Sequence, residues 1–224
     1  MTVKERIEKL KEQIKEALAR AGRENESITI VGVTKGIDIP RIIEGIENGI
    51  NILGENRVQE AREKISQITL PCQWHLIGHL QKNKVKYAVK LFKMIQSVDN
   101  EELAELINKK TPERMDILIE INTSGEPQKY GVSPDEAGKL VESILNLPNL
   151  RLLGLMTVGP YPVDEKKSRK AFALLRETRD RLEKEFGISL PILSMGMTED
   201  FEYAILEGAN MLRIGRGIYG ERNY

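Results

Sequence analysis

Val3, Ile7, Leu10, Ile14 and Leu18 recur at spacings of four, three, four and four, the apolar stripe of an amphipathic helix near the start of the chain. Thr2 with Glu5 predicts its capping box, and Gly22 its stop. Beyond this helix the rhythm changes. Apolar runs at residues 28–34, 51–53, 73–77, 94–98, 115–121, 150–158, 190–194 and 210–214 predict eight strands, and helical patterns fill the seven gaps between them. The runs lack a clean period of two, as expected of strands covered on both faces.

Several helices carry their own signals. Asp38 and Pro40 predict one start, Asp99 with Glu102 a capping box, and Ser133-Pro134-Asp135-Glu136 a cap, a first-turn proline and a box glutamate. Gly49 and Gly187 stand where helices should end. Alternating strands and helices imply a parallel sheet, and eight such strands favour a closed (β/α)8 TIM barrel over an open doubly wound sheet. Only about ten residues follow the last strand, too few for a full outer helix. The leading helix is therefore expected to cover the seam between strands one and eight. No stretch reads as a linker, so residues 1–224 are expected to form a single α/β domain.

Composition narrows the function classes. Lys plus Arg and Asp plus Glu are each 34, giving a formal net charge of zero. Phosphate-backbone binding normally needs a basic excess on one face, so nucleic acid is not an expected partner. The one cysteine, Cys72, leaves no internal disulfide, and no apolar run approaches the roughly 20 residues that span a bilayer. The start carries no signal-peptide pattern, so a cytoplasmic protein without a membrane partner is expected.

Active sites of such barrels lie at the C-terminal ends of the strands. There the chain is polar and rich in glycine. Ser194-Met195-Gly196-Met197-Thr198 ends strand seven, and Thr198 is read as N-cap of a helix over residues 199–207, whose free N–H groups would hold an anion. Arg213-Ile214-Gly215-Arg216-Gly217 ends strand eight and offers further backbone donors at Gly215, Arg216 and Gly217. Each glycine alone could serve only a tight turn. Together they fall after strands seven and eight, the usual phosphate position of a barrel.

Lys35 ends the first strand run, "IVGVTKG". A surface lysine is the commoner explanation of any one such residue, but a partly desolvated barrel mouth frees an amine as a nucleophile. An amine facing a phosphate cradle suits an aldehyde that carries a phosphate, of which pyridoxal 5'-phosphate (PLP) is one. Arg213 would suit the pyridine nitrogen of PLP; being always protonated, it makes that ring a weaker electron sink. A surface or salt-bridged arginine stays open on spacing alone. His75 and His79 are four apart, but "WHLIGHL" reads as strand then loop, so a metal site is not expected. His75 is read as a hydrogen-bonded residue lining the mouth and Trp74 as core. Lys129 and Tyr130 are lid residues or solvated.

The motifs "VGVTKG", "LGENRVQEAREK", "WHLIGHLQKNKVK", "SVDN", "INTSGEPQKYG", "GLMTVGP" and "LSMGMTEDFEYAILEGANMLRIGRGIYGER" resemble, in order, those of the pyridoxal phosphate homeostasis protein family. This family, also called the proline synthetase co-transcribed homologue family, is a lone barrel similar to the N-terminal domain of alanine racemase. The resemblance implies that Lys35 holds PLP as a Schiff base. It implies that Ser194, Gly196, Thr198, Gly215 and Arg216 surround the phosphate, and that Arg213 faces the pyridine nitrogen. Asn56, His75 and Met156 would line the cofactor face. Family members commonly carry a small or polar residue where Arg216 stands, so its backbone N–H is the expected donor.

The resemblance further implies vitamin B6 homeostasis without established turnover, with PLP and apo PLP-dependent enzymes as partners and a monomer or weak homodimer as the assembly. A racemase-like PLP enzyme is the alternative. It needs proton-transfer groups on both cofactor faces, and in alanine racemases the second is a tyrosine from another domain. The present chain is expected to lack that domain, so a tyrosine of its own, such as Tyr130, would have to serve. A Schiff-base aldolase is disfavoured by the place of the lysine on strand one.

Overall fold

A computed structural model describes residues 1–126 and 128–221. The leading stripe folds as α1, Val3–Arg20, with the Thr2–Glu5 capping box formed in both directions. Strands and helices then alternate: β1 (Thr29–Val33), α2 (Ile39–Glu47), β2 (Ile52–Glu55), α3 (Val58–Ile65), β3 (Gln73–Leu76), α4 (Val85–Leu91), β4 (Met94–Val98), α5 (Glu101–Lys110) and β5 (Met115–Glu120). They continue through α6 (Ala137–Leu145), β6 (Leu150–Met156), α7 (Glu165–Phe186), β7 (Ile192–Ser194), α8 (Phe201–Leu206), β8 (Met211–Ile214) and α9 (Arg216–Tyr219). The strands close in chain order into one parallel barrel. Closure is made where β1 meets β8, with Thr29, Ile30, Val31 and Gly32 opposite Met211, Leu212, Arg213 and Ile214.

Apolar side chains fill the layer between barrel and helices, with Ile42, Leu53, Leu76, Ile107, Ile117 and Phe172 fully enclosed. A separate small cluster joins Met94, Leu118 and Met156. Helix α1 packs against α2, α8 and α9, so it covers the seam as the pattern predicts. The residues after β8 form the four-residue α9, a helix the sequence reading omits. Its Tyr219 slots against Gly32 and Gly45, where any Cβ would come within 2.7 and 3.1 Å of the phenol oxygen.

Three cap assignments change. Helix α6 begins only at Ala137, with Glu136 at its N-cap, and Ser133 closes the turn ahead of it by accepting the Glu136 N–H at 3.3 Å. Helix α5 is capped by Asn100, whose side chain accepts the Leu103 N–H at 2.9 Å, while Asp99 lies 3.7 Å from His79. Ahead of α8, Thr198 is no cap: its hydroxyl accepts the Gly217 N–H at 3.2 Å, tying the two mouth loops together. Asp200 stands at the N-cap of α8, and its carboxylate accepts the Met197 N–H at 2.6 Å. The helix is thus shorter than residues 199–207, and Gly217 is already engaged. Among the described residues no helix is long and apolar enough to cross a membrane, and no group of three or more His, Cys, Asp or Glu could hold a metal ion.

Candidate functional site

Inside the barrel the strands carry polar residues that bond to one another. Ser194 on β7 donates to Gln96 on β4 at 2.7 Å, and the Gln96 amide lies 3.0 Å from His75 Nδ1 on β3. A bond between β4 and β7, which are not neighbours, must cross the lumen. Arg213 on β8 completes the network, donating to Ser194 Oγ at 2.8 Å and to the Thr157 carbonyl at 2.7 Å. Of its five N–H groups, two are used this way, leaving donors for a ligand.

The electrostatics follow from this enclosure. Burial lowers the Arg213 pKa to about 10, opposed by the carboxylates of Glu120 and Asp200, so the guanidinium remains charged at neutral pH. Burial pushes Glu120 up to about 7, against the attraction of Arg213, and depresses His75 to about 4. His75 is therefore a neutral imidazole bonded to Gln96.

Above this floor a cavity of about 370 Å³ opens among Val33, Lys129, Gly159, Thr198, Asp200, Arg213, Gly215 and Arg216. Gly215 adds no side chain to its wall, and Asp200 Oδ2, buried in the same lining, has no hydrogen-bond partner among the described residues. Lys35 is half-buried on the turn that follows β1, two residues beyond Val33, which lines the cavity.

The structure brings the anticipated residues together unevenly. Thr198, Arg213, Gly215 and Arg216 share the cavity wall, with Ser194 and His75 in the network beneath it. Met156 is fully buried in the small cluster with Met94 and Leu118. Gly196 plays a backbone part: at φ +93° it packs under α8, where a Cβ would fall 2.6 Å from that of Ala204. Lys35 and Asn56 are not among the residues lining this cavity; both belong to the adjoining loops after β1 and β2. The Arg216 side chain points into an ion pair with Glu199. His79 stacks on Tyr130, ring centroids 4.0 Å apart and planes within 10°.

Sequence reading passed over Gln96 and Glu120 and gave no role to Thr157 and Asp200. It also gave no role to Glu55 and Lys64, buried charges that meet beside the turn of Lys35. Gln96 and Glu120 interrupt otherwise apolar strand runs, a signal that could have marked them. The partners across the lumen leave no trace in spacing.

A cation, a hydroxyl and spare backbone donors around one cavity beside a lysine fit a phosphorylated aldehyde. The sequence profile of the alanine racemase N-terminal domain family matches residues 6–223. A protein of Aquifex aeolicus named pyridoxal phosphate homeostasis protein is 43% identical over 229 residues, covering 100% of both chains. A human protein of that name is 39% identical over 95% of this chain and 84% of its own. The solved structure of PipY from Synechococcus elongatus with PLP bound superposes with a TM-score of 0.87 at 28% identity, covering 98% of this chain and 100% of that one. An alanine racemase of Clostridium difficile, 21% identical with a TM-score of 0.74, shares the fold over 95% of this chain and 56% of its own. With the barrel, the grouped mouth residues and full-length relatives in agreement, the chain belongs to the family of pyridoxal phosphate homeostasis proteins, built on the alanine racemase N-terminal fold.

Proposed function

We propose that this protein binds PLP at the C-terminal mouth of its barrel and serves to hold and hand on the cofactor, with no catalytic cycle of its own. The observation that carries this reading is the grouping of Thr198, Arg213, Gly215 and Arg216 around one cavity beside the strand that leads to Lys35. PipY with PLP bound, and relatives named for PLP homeostasis, support the choice of ligand. PLP supplies an aldehyde that bonds reversibly to an amine and a pyridine ring that draws electrons.

Lys35 Nζ is the amine that would hold the aldehyde carbon. The Gly215 and Arg216 N–H groups would take the phosphate, while Thr198, on the loop after β7, is joined to their loop through the Gly217 N–H. Ser194 and Gly196 would act from behind, Ser194 by orienting Arg213 and Gly196 by shaping its loop. Arg213 offers a permanent cation to the pyridine nitrogen and no proton to spare, which suits holding over turnover. Neutral His75 and buried Met156 close the floor, and Asn56 sits on the neighbouring loop.

Purified protein incubated with PLP should absorb in the visible, and borohydride should fix the cofactor mass to the peptide containing Lys35. Fixation spread evenly over surface lysines would overturn the assignment. A racemase-like reading has Tyr130, held over His79 beside the mouth, as its one specific support. Incubation of loaded protein with L-alanine in deuterated water separates the two: α-hydrogen exchange at enzymatic rates would favour the enzyme. Loss of PLP to an apo-enzyme faster than by simple dissociation would support delivery.

A further inference from the structure

The turn that carries Lys35 is gripped on both sides. Thr34, the residue before it, donates its N–H to the Gly54 carbonyl at 3.0 Å and its hydroxyl to Glu55 Oε1 at 2.6 Å. Gly36, the residue after it, sits at φ +68° and donates its N–H to Glu60 Oε1 at 2.7 Å. Lys64 joins the two grips. Its ammonium donates to the Thr34 carbonyl at 2.6 Å, to Glu55 Oε1 at 2.7 Å and to Glu60 Oε1 at 2.7 Å. All three of its N–H bonds are used.

This is an expensive way to fix a turn. The Glu55 side chain is 0% exposed and that of Lys64 10%, and a buried ion pair commonly adds no more stability than well-packed apolar residues would. What it adds is a defined geometry, since Glu55 Oε1 accepts from Thr34 and Lys64, and Glu60 Oε1 from Gly36 and Lys64. Glu60 is the hinge of the arrangement: one carboxylate oxygen accepts from both the Gly36 N–H and Lys64. Partial burial works against its ionised form, but the hydrogen bonds from Lys64 and Gly36 prevail and its pKa is lowered. The Lys64 amine, wholly engaged, is withheld from an aldehyde, and Lys35 on the turn above is left to take it.

We propose that Glu55, Glu60 and Lys64 are positioning residues for Lys35, clamping Thr34 and Gly36 so that the lysine turn is already ordered before the cofactor arrives. The proposal rests on the reading that Lys35 holds PLP. A ligand that meets an ordered site avoids the entropy of ordering it, so loosening the clamp should weaken binding without moving the attachment point. Glu60 is the residue to change, because its side chain is 27% exposed and its loss leaves the barrel core intact.

The test uses the full chain, with Glu60→Ala and the conservative Glu60→Gln, which keeps an oxygen acceptor for the Gly36 N–H. In ligand-free protein, hydrogen exchange at the Gly36 amide should rise about tenfold or more in Glu60→Ala, while the melting temperature moves little and Glu60→Gln stays near the parent. PLP titration should then show about tenfold weaker binding for Glu60→Ala, restored by Glu60→Gln, with borohydride still fixing the cofactor at Lys35. Lys64→Met should reproduce the Glu60→Ala exchange pattern. Unchanged Gly36 exchange in Glu60→Ala would overturn the clamp; so would raised exchange with undiminished PLP affinity. If parent protein fixes no PLP at Lys35, the cofactor reading fails, and the exchange measurement still decides whether the clamp orders the turn.

Discussion

Replacing Glu120 with glutamine should change how stability depends on pH, by an amount set inside the barrel. Glu120 ends β5 at 7% exposure, and burial raises its carboxyl from 4.5 to about 7. The native state therefore holds this proton more tightly than the unfolded chain does. The resulting stabilisation is full below 4.5 and is lost as pH rises through about 7. At about 1.36 kcal/mol per pH unit, it fades by about 2.5 kcal/mol between about pH 5 and about pH 8.

His75 acts in the opposite sense. Its imidazole, 2% exposed, is lowered from 6.5 to about 4 by burial, against the pull of Asp116. The unfolded chain takes up a proton that the native state refuses, so stability falls as pH drops below 6.5, by about 2 kcal/mol at about pH 5. In the parent protein the two slopes nearly cancel. Glu120→Gln leaves the His75 slope alone, and its unfolding free energy should rise by about 2.5 kcal/mol from about pH 5 to about pH 8 relative to the parent. His75→Gln should fall by about 2 kcal/mol relative to the parent over that interval. Urea unfolding at several pH values measures both, since the midpoint times the slope yields the free energy. Parallel pH profiles for parent and Glu120→Gln would refute the reasoning.

Arg213→Met strands the Thr157 carbonyl and two buried carboxylates, which should remove about 3–5 kcal/mol and lower the melting temperature by about 6–20 °C. Calorimetry showing a loss below about 1 kcal/mol would contradict the charge network. Gly196→Ala places a Cβ 2.6 Å from that of Ala204 at a φ of +93°, and about 2 kcal/mol or more should be lost in denaturant unfolding; a variant as stable as the parent would mean the loop relaxes freely. Asn100→Ala should cost about 1 kcal/mol through the lost cap of α5, and Asp99→Ala less, with equal losses counting against the observed cap.

Much of the fold was legible because its signals are local. The stripe from Val3 to Leu18 records which face of α1 is buried, and the apolar runs record strands covered on both sides. Eight runs separated by helices leave few ways to close a parallel sheet, so the barrel and its seam followed from counting. Caps were less secure. Asp99 and Asn100 are both good capping residues, and only the direction of the entering chain, with His79 waiting for Asp99, selects Asn100. Thr198 has a cap's chemistry, but its hydroxyl meets a loop 19 residues further along the chain.

The site divides in the same way. Where β1, β7 and β8 end decided that Lys35, Gly196 and Gly215 gather at the mouth, since strand order and strand end are one-dimensional facts that the fold turns into proximity. Which groups then bond to one another depends on which strands face across the lumen. Gln96 meets Ser194 and His75 only because the barrel closes, and Arg213 reaches the Thr157 carbonyl for the same reason. Burial, which moves Glu120 to about 7 and His75 to about 4, is likewise a property of the packed whole. Periodicity settled where each element runs and which ends converge. Only tertiary structure could decide the partners and the charges, because both depend on atoms that are distant along the chain and on the water that packing excludes.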